Sequence, residues 1–204
     1  MKKFGPAVAL AAALACSVPL VVQSQQPGAP DPSRVVAGTY NVDKDHTQVV
    51  WKVNHRGVTP LYGAIGASGG TLVLDPGNPA AAKVTVTFSI AEIATTSAGF
   101  TKHLMSADFF EVEKNPSASF TSTSVEASGT KSKIAGDLTI KGVTKPIVLD
   151  AEFFGAGSNP RSKKLEVGFT ATAKFKRSDF GLGFAAPAVS DNVDLEIVVA
   201  FLAG

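Results

Sequence analysis

The residues able to do chemistry are few and scattered. The chain carries 3 histidines and 1 cysteine. His46, His55 and His103 form no i, i+4 pair, and no H-E-x-x-H occurs, so a helical zinc site lacks its ligands. No G-x-S-x-G turn presents a serine, and no glycine-rich loop leads from a strand into a helix to hold phosphate. Cys16 falls in an N-terminal leader, so no thiol nucleophile is expected in the folded region. Asp43, Asp45 and His46 lie together and read as solvating and capping groups at the start of a strand. His55 ends an inward-facing run just before a glycine turn. It either braces a barrel mouth through hydrogen bonds or touches the polar head of a ligand. His103 reads as a solvated helix residue. Arg177-Ser178-Asp179 reads as a salt-bridged strand connection or as a second polar contact for that head. These residues imply no catalytic centre, no metal and no cofactor.

The elements that position them are β-strands. Val49, Trp51, Val53 and His55 share one face of a strand region spanning 38–55, opposite Lys52 and Asn54. A turn with Pro60 is expected over 57–63. The next strand, 64–74, contains Gly66, Gly69 and Gly70, which suggests bulges or close backbone approach in a curved sheet. Over 83–93, Val84, Val86, Phe88 and Ile90 alternate with Thr85, Thr87 and Ser89. Further strands are expected at 118–125, 133–141, 145–154, 163–175 and 193–201. Ile134, Gly136, Leu138 and Ile140 lead into a turn at Gly142–Lys145, with Pro146 opening the return strand. A turn follows over 155–161, and Leu165, Val167, Phe169, Ala171, Ala173 and Phe175 make a long apolar face. About eight strands at hairpin spacing, without crossover helices, favour an antiparallel closed barrel. The interior of such a barrel holds side chains or one slender ligand.

One segment breaks the strand pattern. Thr95–Pro116 reads as helical, with Thr96 or Ser97 as N-cap and Phe100 and Leu104 four apart on one face. Ser106 offers a second cap before Asp108-Phe109-Phe110, and Pro116 ends the segment. Phe100, Phe109, Phe110 and Phe120 cluster in or beside it. The segment is expected to cover one part of the barrel.

Lys2 and Lys3, then an alanine-rich run and Ala13-Leu14-Ala15, read as a secretory signal over 1–24, too short and weakly apolar for a membrane span. Cys16 is either removed with that leader or serves as a lipid anchor. Residues 25–37 read as an exposed proline-rich linker, and 38–203 as the folded domain. Loss of Lys2 and Lys3 leaves basic and acidic residues equal in number. No basic stripe survives, so nucleic acid is not expected as a partner.

Ordered blocks in this chain resemble the YceI-like proteins, periplasmic lipocalin-like barrels that bind polyisoprenoids. They are YNVD at Tyr40–Asp43 with His46, WKVNH at Trp51–His55, HLMSADFFEVEKNP at His103–Pro116 with ASFTST at Ala118–Thr123, GDLTIKGVTKPIVL at Gly136–Leu149 and FKRSDFG at Phe175–Gly181. The resemblance implies an all-β, eight-stranded antiparallel lipocalin-like barrel with a short helical segment and an elongated apolar cavity. It implies a periplasmic carrier or store for an isoprenoid quinone, polyprenyl chain or other long-chain lipid, and no enzyme activity. Transient membrane contact and dimerisation are compatible with it. A lipid-modifying enzyme and a ligand-free envelope interaction module remain as alternatives. The expected lipid-contacting residues are Trp51, Val53, Phe88, Ile90, Leu138 and Phe169 along the tail, with Phe120 beside them. Phe100, Leu104 and Phe109 would close over it, and the head would lie near His55 or Arg177–Asp179.

Overall fold

The computed structural model describes residues 26–204. The expected leader and Cys16 therefore lie outside the described residues. Strand β1 is the dipeptide Gly28–Ala29, followed by β2 (Gly38–Val42), β3 (Gln48–His55), β4 (Thr59–Leu74) and β5 (Lys83–Ser89). Helix α1 spans Ala98–Met105. The chain then runs through β6 (Ser117–Ser128), β7 (Lys131–Ile140), β8 (Val143–Ser158), β9 (Leu165–Lys176) and β10 (Asn192–Ala203).

These strands close an eight-stranded antiparallel barrel. β2 and β3 both lie between β10 and β4, so they are two halves of one barrel strand. A single 3-10 turn, Lys44–His46, separates them, and Asp43 caps it by accepting from the Asp45 N–H. From there each strand pairs with the next, and β10 returns to β2 and β3, leaving no open edge. β1 adds a short pairing to the far end of β8. The proline-rich stretch expected as a linker is thus partly structured, with Asp31 capping a 3-10 turn at Pro32–Arg34.

Several strands outrun their sequence-based limits. β4 begins at Thr59 and takes in Pro60, so the preceding turn is only Arg56–Val58. Pro146 sits inside β8, because the hairpin turn is Lys141-Gly142 with both φ angles positive. β9 pairs with β8 only from Asp150 onward, so the missing Pro146 N–H removes no bond on that side. β8 continues to Ser158, and the strand expected over 83–93 ends at Ser89 in a 3-10 turn. A bulge does fall among the glycines of β4, between Ala67 and Gly69.

α1 starts as the sequence suggests, with the Ser97 side chain accepting from the Phe100 N–H. Ser106 does not begin a second helix. Its hydroxyl donates back to the His103 carbonyl, and residues 107–110 are turns. Two buried clusters flank the barrel interior. One gathers Ile90, Phe120, Leu138, Ile140, Phe180 and Leu182, and the other Tyr40, Leu72, Ala156, Val167 and Phe201. At roughly 25 cal/mol per Å² of apolar area, such clusters carry the hydrophobic stabilisation of the barrel.

Candidate functional site

Strand alternation builds the site. Val49, Trp51, Val53 and His55 project inward from β3, as do Val84, Val86 and Phe88 from β5, while Lys52 pairs outside with Asp194 at 3.2 Å. The two clusters do not fill the space between them. A cavity of about 670 Å³ runs from the α1 end to the end framed by Pro32, Pro79 and Gly129. All eleven residues singled out in the sequence, Trp51, Val53, His55, Phe88, Ile90, Phe100, Leu104, Phe109, Phe120, Leu138 and Phe169, stand on its wall. Sequence reading missed Pro32 and Val35 from the supposed linker and Leu182, Phe184 and Val189 beyond β9. These lie in irregular segments, where periodicity carries no signal.

Almost the whole wall is apolar, and its ionisable groups gather at one end. Among the described residues Arg177 is the one Arg, Lys, Asp or Glu on the wall, and His55 and His103 stand there with it. Arg177 opens the 3-10 turn Arg177–Phe180 after β9 and is buried, 5% exposed. Among the described residues it forms no ion pair with a carboxylate, contrary to the salt-bridged connection expected there. Its Nε donates to the Ser190 carbonyl at 2.9 Å, Nη2 to Val189 at 2.8 Å, and Nη1 to Phe184 at 2.8 Å and to Leu182. The guanidinium thereby ties the 182–190 loop to the end of β9. Burial draws its pKa below the usual arginine value, opposed by the nearby Asp191 charge. An arginine nevertheless stays protonated, so the charge persists inside the wall.

The two histidines meet the same loop. The His55 backbone bridges to Val189, and its imidazole makes no hydrogen bond among the described residues. It is therefore not the hydrogen-bonded brace weighed from sequence. His103 is less solvated than expected. Its Nε2 lies 2.8 Å from Asp108 Oδ2, and its ring packs edge-on against Phe109 and Phe184 at 5.1 and 5.4 Å. Phe109 and Phe184 also meet at 5.4 Å, which joins the α1 segment to the loop. Below them, Phe100 stands edge-on to Trp51 at 6.3 Å. The Trp51 Nε1 is buried without an acceptor among the described residues.

The remaining polar group lies apart from the cavity's charged end. Asp43 Oδ2 sits 2.8 Å from His46 Nδ1, and that contact raises the His46 pKa, the hydrogen bond first and the carboxylate charge second. With Glu166 these groups fall within 4.8 Å of one another, but the capping of Lys44–His46 accounts for Asp43 and His46.

The YceI-like domain model matches residues 40–201. Protein YceI of Escherichia coli O157:H7 is 43% identical over 166 residues, covering 80% of this chain and 86% of that protein. Among solved structures, a YCEI protein of Campylobacter jejuni is 34% identical with a TM-score of 0.58, covering 66% of this chain and 80% of that one. A polyisoprenoid binding domain from Saccharophagus degradans, implicated in plant cell wall breakdown, shares the fold at a TM-score of 0.58 and 12% identity, covering 81% and 98%. With nearly all of the barrel matched by one family model and by relatives above two-fifths identity, this chain belongs to the YceI-like family.

Proposed function

We propose that the protein carries or stores a single-chain lipid of isoprenoid type, a quinone or polyprenyl chain, inside the barrel, and that it does so in the periplasm. The observation that carries this reading is the cavity of about 670 Å³, mostly apolar along its length, with its arginine and its two histidines gathered at one end. An unfilled apolar space of that size costs stability unless something occupies it. The polyisoprenoid binding domain with the same fold supports the ligand class. The lipid tail would lie against Trp51, Val53, Phe88, Ile90, Leu138 and Phe169, and the head would face His55 and Arg177.

Energetics favour a carrier over a trap. Each methylene leaving water contributes about 0.8 kcal/mol, so one isoprene unit contributes roughly 3–4 kcal/mol. The competing environment is a bilayer, where that unit is already out of water. Large ligands also gain only about 0.3 kcal/mol per heavy atom. The net preference for the protein is therefore small, and loading is reversible. Native mass spectrometry of protein from its source, followed by lipid extraction, tests the reading. An isoprenoid-type lipid is the expected co-purifying mass. Protein that is repeatedly empty and ignores added quinone overturns it.

A further inference from the structure

We propose that Arg177 makes the polar end of the cavity a filter for head charge, favouring lipids with an anionic head, carboxylate or phosphate, and rejecting cationic ones. This rests on the lipid-binding reading above. Among the described residues no aspartate, glutamate or lysine stands on the cavity wall, and Asp191, the carboxylate whose charge reaches the guanidinium, lies off that wall and is bonded to Ser178. The guanidinium's partners are four neutral carbonyls, which satisfy its geometry without cancelling its charge. A guanidinium has five N–H groups, and these four bonds leave one on Nη2 without a protein acceptor among the described residues. Val189 links the groups, since its carbonyl accepts from Arg177 Nη2 and its backbone bridges to His55. The His55 imidazole is unengaged and can donate to a head that already lies against the arginine.

The rest of the wall sharpens this asymmetry. Apolar walls screen a charge far less than water does, so the field of Arg177 reaches into the cavity. The opposite end offers Pro32, Pro79, Ala82 and Gly129, with the uncharged Thr130 and Ser132 as polar neighbours. A lipid with an anionic head gains by entering head-up toward Arg177. A matched amine places a second cation beside a buried one, and neither orientation gives it an anionic partner on the wall.

Chain-matched oleic acid, oleyl alcohol and oleylamine, each competing at pH 8 against the neutral probe 1-N-phenylnaphthylamine on delipidated protein, test the proposal. The acid is expected to displace the probe at least about tenfold more effectively than the alcohol, as a charge-assisted hydrogen bond would give. The amine is expected to be weakest. In folded Arg177→Gln protein the three should converge. Because Arg177 also holds the loop, His55→Gln is run beside it and should narrow the acid-over-alcohol gap. An amine that competes as well as the acid, or an unchanged ranking in folded Arg177→Gln, overturns the filter. Displacement by none of the three overturns the lipid-binding reading itself.

Discussion

The indole of Trp51 occupies the space that a side chain at position 63 would need. A Cβ built on Gly63 would stand 2.0 Å from Trp51 Cζ2 and 2.8 Å from the Ala94 carbonyl oxygen. Trp51 and Gly63 face each other across the β3–β4 ladder. The glycine is there for close approach, with no positive φ to explain it. Gly63→Ala should force the indole into the cavity or push β4 outward, costing about 1–3 kcal/mol by overpacking. Since Trp51 is the only tryptophan, its emission reports the event directly. A shifted emission maximum and a lower urea midpoint are expected, and an unchanged spectrum would refute the packing argument.

Arg177 makes a second, larger prediction. Replacing it with methionine keeps an unbranched apolar stem but strands four loop carbonyls that the guanidinium now satisfies. Each buried polar group left without a partner costs about 1–3 kcal/mol, and loop relaxation lets water reach some of them. A net loss of about 3 kcal/mol is expected from chemical denaturation. Arg177→Lys should recover only part of it, because an ammonium cannot reproduce the planar fork. Full recovery by lysine would show that charge alone matters there.

The same loop supplies the pH dependence. Asp191 accepts from the Ser178 hydroxyl at 2.7 Å and from the Ser178 N–H at 2.9 Å. The hydroxyl bond is the main cause of its lowered pKa, with the backbone bond and the Arg177 charge adding to it. A carboxylate with a lowered folded pKa stabilises the fold in full above its unfolded value, about 3.9. That contribution is lost as pH falls through the lowered value. Ser178→Ala should therefore reduce stability at pH 6 and flatten the loss between about pH 5 and 2. Melting temperatures across that range check this, and parallel curves for the two proteins would count against it.

The sequence made the inward faces legible because alternation needs only neighbours. Trp51, Val53 and Phe88 sit on the cavity wall where period two places them. The glycines of β4 signalled a bulge for the same local reason. What failed was long-range or irregular. The break between β2 and β3 falls at Asp43-Lys44-Asp45-His46, whose capping character is legible, but that it splits one barrel strand with a 3-10 turn capped by Asp43 depends on both halves pairing with β4 and β10. Pro60 and Pro146 looked like strand limits, yet a strand tolerates proline wherever no ladder bond needs its N–H. Arg177 reads in the sequence as part of a salt-bridged turn or of a head contact, and what goes unseen is its burial in the cavity wall. It sits between Lys176 and Ser178 like any surface cation, and the carbonyls that bury it come from residues five to thirteen positions later. No local pattern records such a partner.

The helix and the loop beyond β9 close one end of the cavity together. Leu104 is 6% exposed and faces the cavity, while Phe184 is 47% exposed yet also stands on its wall. The two residues therefore do different work. Leu104→Ala should remove core packing and cost about 2–5 kcal/mol, whereas Leu104→Asp should abolish retention of a neutral apolar ligand, because it replaces buried apolar wall with a charge that must be desolvated. Among the described aromatic rings Phe184 meets His103 and Phe109. Its edge-on contacts are worth about 0.5–1.5 kcal/mol each. Phe184→Ala should thus leave the barrel folded and speed ligand release by roughly tenfold, the equivalent of about 1.4 kcal/mol. Stopped-flow transfer of a bound fluorescent probe to vesicles measures this. Release unchanged from wild type would mean that the ligand leaves by the opposite end, past Pro79 and Gly129.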